Sequence, residues 1–171
     1  VLYFVSDRKG GYGGRDIYRC VKLPNGKWSK ATNLGPTINT AKDEDGPFIH
    51  PDGVTLFFAS NGLRGMGGFD IFYAKRKIDP NKRSKSVVWR WNNPVNVGAP
   101  INTPDDDVFY TLSTDGRRAY YSSEQAEGEG REDLYVALLD ESVVEPTVVL
   151  RGFLTFDGKA ESPGNANPKL L

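Results

Sequence analysis

The sequence predicts an all-β fold, a partial β-propeller of four-stranded antiparallel blades with about three blades present. Three observations predict it. A turn motif that ends in Asp, an apolar residue and an aromatic residue occurs at residues 13–18, 67–72 and 130–135. A strand rich in aromatic residues and ending in Ser precedes each copy. No stretch of ten or more residues has the apolar spacing of an amphipathic helix.

The spacing of the motifs indicates one structural unit that is repeated. The Ser-ended strands are residues 2–6, 56–60 and 119–123. A further segment, Asn-x-Gly followed by Ile-Asn-Thr, occurs at residues 33–40 and again 63 positions later at 96–103. Repeats of about 40 to 60 residues that each hold several short strands are typical of propeller blades.

Within one complete unit the sequence predicts four strands that are bounded by Gly, Pro, Asn or Asp. These strands are residues 48–49, 55–60, 69–74 and 87–91. The turn motifs of the first two units are 54 positions apart, whereas the next interval is 63 positions. We therefore expect an insertion in the middle unit, at the basic stretch of residues 75–85.

Composition excludes several classes of function. Lys plus Arg and Asp plus Glu both number 22, so no net charge draws the chain to nucleic acid or to an anionic membrane. No run of 18 apolar residues is present, so no helical membrane span is expected. The single cysteine, Cys20, rules out an internal disulfide framework.

We expect the chain to be a fragment of a larger propeller. Val1 begins inside the second strand of a blade, so the first unit would lack its innermost strand. Closed propellers have about four to eight blades, and an open set of blades leaves strand edges unpaired. The rest of the ring is expected from missing residues, a second chain or a symmetry mate.

The repeat pattern ends near residue 142, which predicts a domain boundary. Residues 1–142 are assigned to the propeller blades. Residues 143–171 are assigned to a linker and the start of a β-sandwich-like domain, because Pro146 is followed by one alternating strand and then by a polar tail rich in Gly and Pro.

These motifs resemble the PD40 repeat, a WD40-like β-propeller repeat that is also found in the TolB family. The resemblance covers residues 2 to about 140. The sequences Asn-Leu-Gly and Ile-Asn-Thr are similar to the version in periplasmic OmpA-family proteins of Bacteroidota. In those proteins a carboxypeptidase-regulatory-like sandwich and a peptidoglycan-binding domain follow the propeller, and residues 148–159 resemble the first strand and turn of such a sandwich.

The resemblance implies a non-enzymatic protein-interaction scaffold in the periplasm, associated with the outer membrane and serving type IX secretion or gliding machinery. The implied partners are other envelope proteins, and peptidoglycan would be bound only through a domain outside these residues. No cofactor is expected. Two alternatives stay open, namely a propeller that is accessory to a serine peptidase and a propeller that binds glycans.

The repeated motif residues are expected to hold the architecture together, because repeats share structure more than chemistry. Asp16, Asp70 and Asp133 occur once per unit at a Gly-rich turn, where a carboxylate can accept backbone N–H bonds and fix the turn. Trp28 and Trp91 are interpreted as packing anchors between blades.

Two acidic clusters are candidates for a cation site. They precede the innermost strand of two units, where hard carboxylates could bind Ca²⁺ or a basic peptide. Neither cluster has the ligand spacing of an EF-hand loop, so we expect turn-capping or solvated carboxylates and no metal ion. The residues are Asp43, Glu44, Asp45, Asp105, Asp106 and Asp107.

Catalysis by these residues is not expected. His50 is the only histidine, and the sequence holds no nucleophile elbow, Cys-x-x-Cys motif or phosphate-binding loop. We interpret His50 as a turn residue beside Pro51.

Specificity is expected in the loops that differ between matched units, because the scaffold fixes where they project. The loop before the motif Asp is basic in the first unit and acidic in the third. Such loops would suit a protein partner whose surface has the opposite arrangement of charges. The alternative is that the loops are mobile and solvated. The candidate binding residues are Arg8, Lys9, Tyr12, Arg64, Met66, Glu124, Glu127 and Glu129.

Overall fold

The computed structural model describes residues 1–78, 89–125, 128 and 130–139, and the backbone of residues 155–156 and 159–160. None of these residues lies in a helix. The strands are β1 (Leu2–Ser6), β2 (Asp16–Cys20), β3 (Thr32–Asn33), β4 (Glu44–Ile49), β5 (Thr55–Ser60), β6 (Asp70–Ile78), β7 (Trp89–Trp91), β8 (Val95–Asn96), β9 (Asp107–Leu112), β10 (Arg118–Ser123), β11 (Asp133–Leu138), β12 (Thr155–Phe156) and β13 (Lys159–Ala160).

The strands form three antiparallel sheets and one separate hairpin. The first sheet has the order β1-β2-β3, and the third has the order β11-β10-β9. The second has the order β4-β5-β6-β7, and β8 also pairs with β6. The prediction of an all-β chain with antiparallel sheets is confirmed for the described residues, within which no sheet closes on itself.

The same hairpin is built three times. The Ser-ended strands are β1, β5 and β10, and each pairs with a strand that begins at the motif Asp. The residue pairs that close the hairpins are Ser6 with Asp16, Ser60 with Asp70, and Ser123 with Asp133. The sequence repeat is therefore a repeat of strand register as well.

The strand that precedes each later hairpin carries a bulge. The register of β4 against β5 shifts between Asp45 and Phe48, and the register of β9 shifts near its centre. Gly46 in β4 and Phe109 in β9 are 63 positions apart and both have a positive φ, 53° and 57°. This conformation costs a glycine little and a phenylalanine much more. The bulge also explains why the strand predicted at residues 48–49 is longer, since it continues beyond the shift to Glu44.

The short strands at the outer edges were only partly predicted. Of the fourth strand expected in the middle unit at residues 87–91, residues Trp89–Trp91 form β7, and residues 87–88 lie outside the described part of the chain. The sequence reasoning missed β3 and β8, which hold the Asn of the Asn-x-Gly segments and pair with β2 and β6. Strands of two residues carry too little periodicity to be found by pattern. Of the expected insertion at residues 75–85, only the part up to Ile78 is described, where β6 continues.

Two apolar clusters lie between consecutive sheets, because the middle sheet is buried on both faces. Successive residues of a strand point to opposite faces, so Phe58 packs toward the first sheet and Phe57 toward the third. The cluster between the first and second sheets contains Ile17, Ile38, Leu56, Phe58, Phe72 and Ala74. The cluster between the second and third contains Phe57, Ile71, Ile101, Tyr110, Leu112, Ala119 and Tyr121.

The segments that connect one sheet to the next use an asparagine side chain to bind the sheet they leave. The Asn39 Oδ1 accepts a hydrogen bond from the Ile17 N–H at 2.8 Å, and its Nδ2 donates to the Ile17 carbonyl at 3.0 Å. Asn102 makes the same two bonds to Ile71, at 2.8 and 2.9 Å. Both asparagines are buried, so each pair satisfies backbone groups that water cannot reach.

The predicted second domain lies almost wholly outside the described residues. Within 143–171 the structure gives only the backbone pairing of β12 with β13. The boundary and the sandwich-like continuation therefore stay predictions.

Replacing Asn39 by Ala should lower the free energy of unfolding by about 1–3 kcal/mol, because the buried Ile17 N–H would lose its acceptor and the Ile17 C=O would keep only the Leu34 N–H. Urea unfolding with a constant m-value measures this loss. Asn25→Ala is the matched control: Asn25 lies in an exposed turn, and its removal should change stability by no more than about 0.5 kcal/mol. Equal effects of the two substitutions would contradict the role given to Asn39.

Candidate functional site

The loops before the three motif Asp residues lie along one edge of the molecule. We call residues 7–15, 61–69 and the described residues of 124–132 the loop rim. The Gly14 N–H donates to the Lys42 carbonyl at 2.9 Å, and the Asn61 N–H donates to the Asp43 carbonyl at 3.2 Å. The Glu124 N–H likewise donates to the Asp106 carbonyl at 3.0 Å. The connecting segments thus join each loop to the next, and the rim is one continuous hydrogen-bonded edge.

The motif carboxylates hold the backbone of these loops. Asp16 accepts hydrogen bonds from the N–H groups of Tyr12 and Gly13, at 2.6 and 3.1 Å, and from the Asn33 Nδ2 at 2.7 Å. Corresponding contacts recur around Asp70 and, among the described residues, in part around Asp133. Asp70 accepts from the N–H groups of Met66 and Gly67, and Asp133 accepts from the Gly130 N–H at 3.3 Å. A buried carboxylate with two or three such donors fixes a turn.

This geometry presents an apolar side chain of each of the first two loops to solvent. Tyr12 and Met66 are 54 positions apart, at the same place in their units, and each is 51% exposed. Their own N–H groups bind the motif Asp, so the backbone that carries them is fixed while the side chains stay exposed. Aromatic residues and Met are enriched in the centres of protein interfaces. The rim therefore offers two apolar side chains from a rigid backbone.

The charged candidates of the rim behave differently from one another. The Arg8 guanidinium lies over the rings of Phe4 and Tyr18, 5.1 and 4.7 Å from their centroids, and its Nε donates to the Ser6 Oγ. The Arg8 guanidinium is therefore partly occupied by its contacts with the first sheet.

The remaining charged candidates are exposed where the structure describes them. These residues are Lys9, Arg64 and Glu124. The other two candidates of the third loop, Glu127 and Glu129, lie outside the described residues.

Arg15 ties the first loop to the second sheet. Its Nη1 lies 2.5 Å from the Asp45 Oδ2, and its guanidinium lies 5.5 Å from the centroid of the Phe69 ring. No repeated pattern predicted a role for Arg15, because no other unit has a basic residue at this position. The residue in the next unit is Phe69 itself.

The carboxylates of each acidic cluster accept hydrogen bonds from different parts of the protein. Asp43 accepts from the Arg15 N–H, and Asp106 accepts from the Phe69 N–H, both at 2.7 Å. The next residue of each cluster, Glu44 or Asp107, is fully buried. In the two repeat units Asp43 therefore corresponds to Asp106. The correspondence of residues 43–45 with 105–107 that the sequence suggested is off by one position.

The buried acid of each cluster joins a connection to a Ser-ended strand. Glu44 accepts from the N–H and the hydroxyl of Thr40, at 2.8 and 2.7 Å, and from the Ser60 hydroxyl at 2.8 Å. Asp107 accepts the corresponding bonds from Thr103 and Ser123. Within the described part of the chain, no group of three or more His, Cys, Asp or Glu residues could hold a metal ion.

Burial raises the pKa of both acids. Desolvation raises the pKa of Glu44 above its ordinary value of 4.5, although the hydrogen bonds from Thr40 and Ser60 lower it. Desolvation also raises the pKa of Asp107, which the bonds from Ser123 and Thr103 oppose in the same way. The charged forms are thus held by donors but disfavoured by their surroundings.

The two tryptophans differ, although the sequence predicted the same packing role for both. Trp91 packs against the cluster between the first two sheets and meets the Tyr3 ring edge-on, with centroids 6.4 Å apart. Trp28 is 50% exposed and takes part in an isolated bridge with Lys22, so the role of buried anchor does not apply to it here.

His50 lies at the turn between β4 and β5, and its side chain is buried. Its Nδ1 accepts from the Asp52 N–H at 3.2 Å, and its Nε2 has no hydrogen-bond partner among the described residues. Phe48 lies edge-on beside its ring. Among the described residues, the His50 ring thus has no hydrogen bond to a hydroxyl or a thiol.

An apolar groove of about 270 Å³ lies between β1, β4 and β9. The two bulges form one part of it, since the backbone of Phe109 lies against Gly46. The side chain of Phe109 is more than half exposed, and no sequence pattern predicted its positive φ. The walls are Tyr3, Phe4, Gly46, Pro47, Phe48, Phe109, Tyr110 and Thr111.

Comparison with protein-family models, with curated proteins and with solved structures gave no match to this chain. Among the residues that the structure describes, no helix has the length and apolarity that a membrane crossing requires.

Replacing Glu44 by Gln should make the stability of the chain less dependent on pH above 4.5. The folded state binds the Glu44 proton more tightly than the unfolded state, so stability falls as the pH rises through the raised pKa. The free energy of unfolding of the variant, relative to the unsubstituted chain, should therefore increase with pH.

Urea unfolding over a series of pH values measures this difference. Glu124→Gln removes an exposed carboxylate and should follow the unsubstituted chain. A difference that decreases with pH would mean that the ionised Glu44 is the stabilising form.

Proposed function

We propose that the three sheets are blades of a PD40-type β-propeller, and that the chain is a non-catalytic scaffold that binds other proteins. The repeated hairpin register and the packing of consecutive sheets support the blade architecture. The observation that carries the binding function is the loop rim, where carboxylate-fixed turns present Tyr12 and Met66 on one edge.

The chemistry of the rim favours a protein as the ligand. Loops whose backbone is already fixed lose little backbone entropy when they bind, and aromatic residues and Met are enriched in protein interfaces. Arg64 and Lys9 lie exposed in the loops that carry Met66 and Tyr12. An acidic surface with apolar pockets would therefore complement the first two loops.

The compartment is proposed from the motifs alone. The Asn-Leu-Gly and Ile-Asn-Thr segments resemble those of periplasmic OmpA-family proteins, which makes an outer-membrane-associated assembly, such as type IX secretion or gliding machinery, the setting we propose. A hydrolase domain with a nucleophile elbow in the same polypeptide would instead favour the role of a propeller accessory to a serine peptidase.

A second candidate function is glycan binding, which the aromatic walls of the groove between β1, β4 and β9 favour. Sugar rings stack on exposed aromatic faces, and Phe109 offers one. Retention of the chain on insoluble peptidoglycan, and its loss in Phe109→Ala, would support this function.

The double substitution of Tyr12 and Met66 by Ser should lower capture of protein partners from gently cross-linked envelopes by about tenfold or more, because both apolar contacts of the rim are lost. Mass spectrometry of the retained proteins measures the capture. The circular dichroism spectrum should not change, since both side chains are half exposed.

Val95→Ser is the matched control. Val95 is an exposed apolar residue of β8, outside the loop rim, and its removal should leave the capture unchanged. Capture that survives the double substitution, or that falls equally in Val95→Ser, would exclude the rim as the binding surface.

A further inference from the structure

One position of the repeat is buried in two units and exposed in the third. Ile17, Ile71 and Leu134 each follow the motif Asp, and they pair in register with Val5, Ala59 and Ser122. Both isoleucines are 0% exposed, whereas Leu134 is 77% exposed.

The first two positions are covered by the segment that leaves the sheet. Its sequence is Asn-x-Gly-x-x-Ile-Asn-Thr, and we call residues 33–40 and 96–103 the docking elements. Each begins as a short strand on the outer edge of the sheet, β3 beside β2 and β8 beside β6. Ile38 and Ile101 then enter the apolar clusters between the sheets.

The asparagines complete the docking. Asn39 and Asn102 each bind both the N–H and the C=O of the isoleucine. Leu134 has the same register position as Ile17 and Ile71. In an antiparallel pair this register directs its N–H and C=O toward the outer edge of β11.

The third sheet exposes the apolar face that the other two sheets bury. Alternate residues of β11 share one face, and Leu138 is 79% exposed beside the half-exposed Val136. Tyr120 is the direct neighbour of Val136 on β10. In the order of the described sheet β11 lies at the edge. An apolar edge strand of this kind is a template for another strand.

We propose that β11 is the receptor for a third docking element of the form Asn-x-Gly-x-x-Ile-Asn-Thr, carried by a further repeat unit. Its first residues pair with the outer edge of β11, its Ile covers Leu134, and its Asn binds the Leu134 N–H and C=O. The inference rests on the blade architecture proposed above, and it concerns a surface separate from the loop rim.

A second copy of this chain is a poorer occupant than a further unit. Its two docking elements are already bound, to Ile17 and Ile71 of its own sheets. It could still cover β11 by pairing an edge strand such as its own β11, in a dimer that forms without added peptide. The two occupants therefore differ in whether the Leu134 amide is protected before the peptide is added.

The test uses the full chain and a synthetic peptide of residues 32–45, which contains a docking element and the acidic residues after it. Amide hydrogen exchange is followed by NMR. We expect the peptide to slow exchange of the Leu134 amide by about tenfold or more and to leave the amides of Ile17 and Ile71 unchanged. The peptide with Asn39→Ala should give no protection.

Two protein variants keep the test decisive. Leu134→Asp should abolish the protection without changing urea unfolding, because this side chain is mostly exposed. Val95→Ser should keep it. No protection at about 1 mM peptide, or equal protection by the Asn39→Ala peptide, would overturn the proposal.

Self-association can be recognised in the same experiment. If sedimentation shows a dimer and the Leu134 amide is protected without peptide, the occupant is a second copy and the proposal is wrong. Partner capture through Tyr12 and Met66 is measured separately. The experiments can therefore contradict partner binding by the rim and still support the docking receptor at β11, or the reverse.

Discussion

The asparagine that binds the backbone of the preceding sheet is the interaction on which the rest of the structure depends. Asn39 and Asn102 each bind the N–H and the C=O of an isoleucine at the point where the chain crosses between sheets, and the same C=O also accepts the N–H of Leu34 or Val97. Because the amide carries both a donor and an acceptor, one side chain satisfies both groups of one residue. The isoleucine before it is thereby held in the apolar cluster, so packing and hydrogen bonding fix the same geometry.

The buried acids extend this constraint from the sheet interface to the loop rim. Glu44 joins the connection at Thr40 to the end of the second Ser-ended strand, and Asp43 holds the backbone of Arg15 in the first loop. A loop of one unit is therefore supported by the first residues of the next unit. This arrangement explains how the exposed side chains of Tyr12 and Met66 can differ while both backbone N–H groups bind a motif Asp.

The two surfaces of interest follow from one repeat in different ways. The rim arises where matched positions carry different exposed residues, which suits selective recognition. The β11 receptor arises where a matched position, Leu134, keeps the apolar character of Ile71 but is exposed. Exposure of a residue whose counterparts are buried is more informative than exposure of an isolated apolar residue, because the counterparts show what covers it.

The sequence by itself determined the repeat unit, the all-β class, the Ser-ended strands and the turns at the motif Asp, since these follow from local periodicity and turn chemistry. Tertiary structure alone decided that Trp91 packs between sheets while Trp28 stays exposed, that Phe109 takes a positive φ, and that Leu134 lies open. The reason is physical. Burial and backbone strain depend on which sheet lies opposite a residue, and that contact joins positions far apart in the chain.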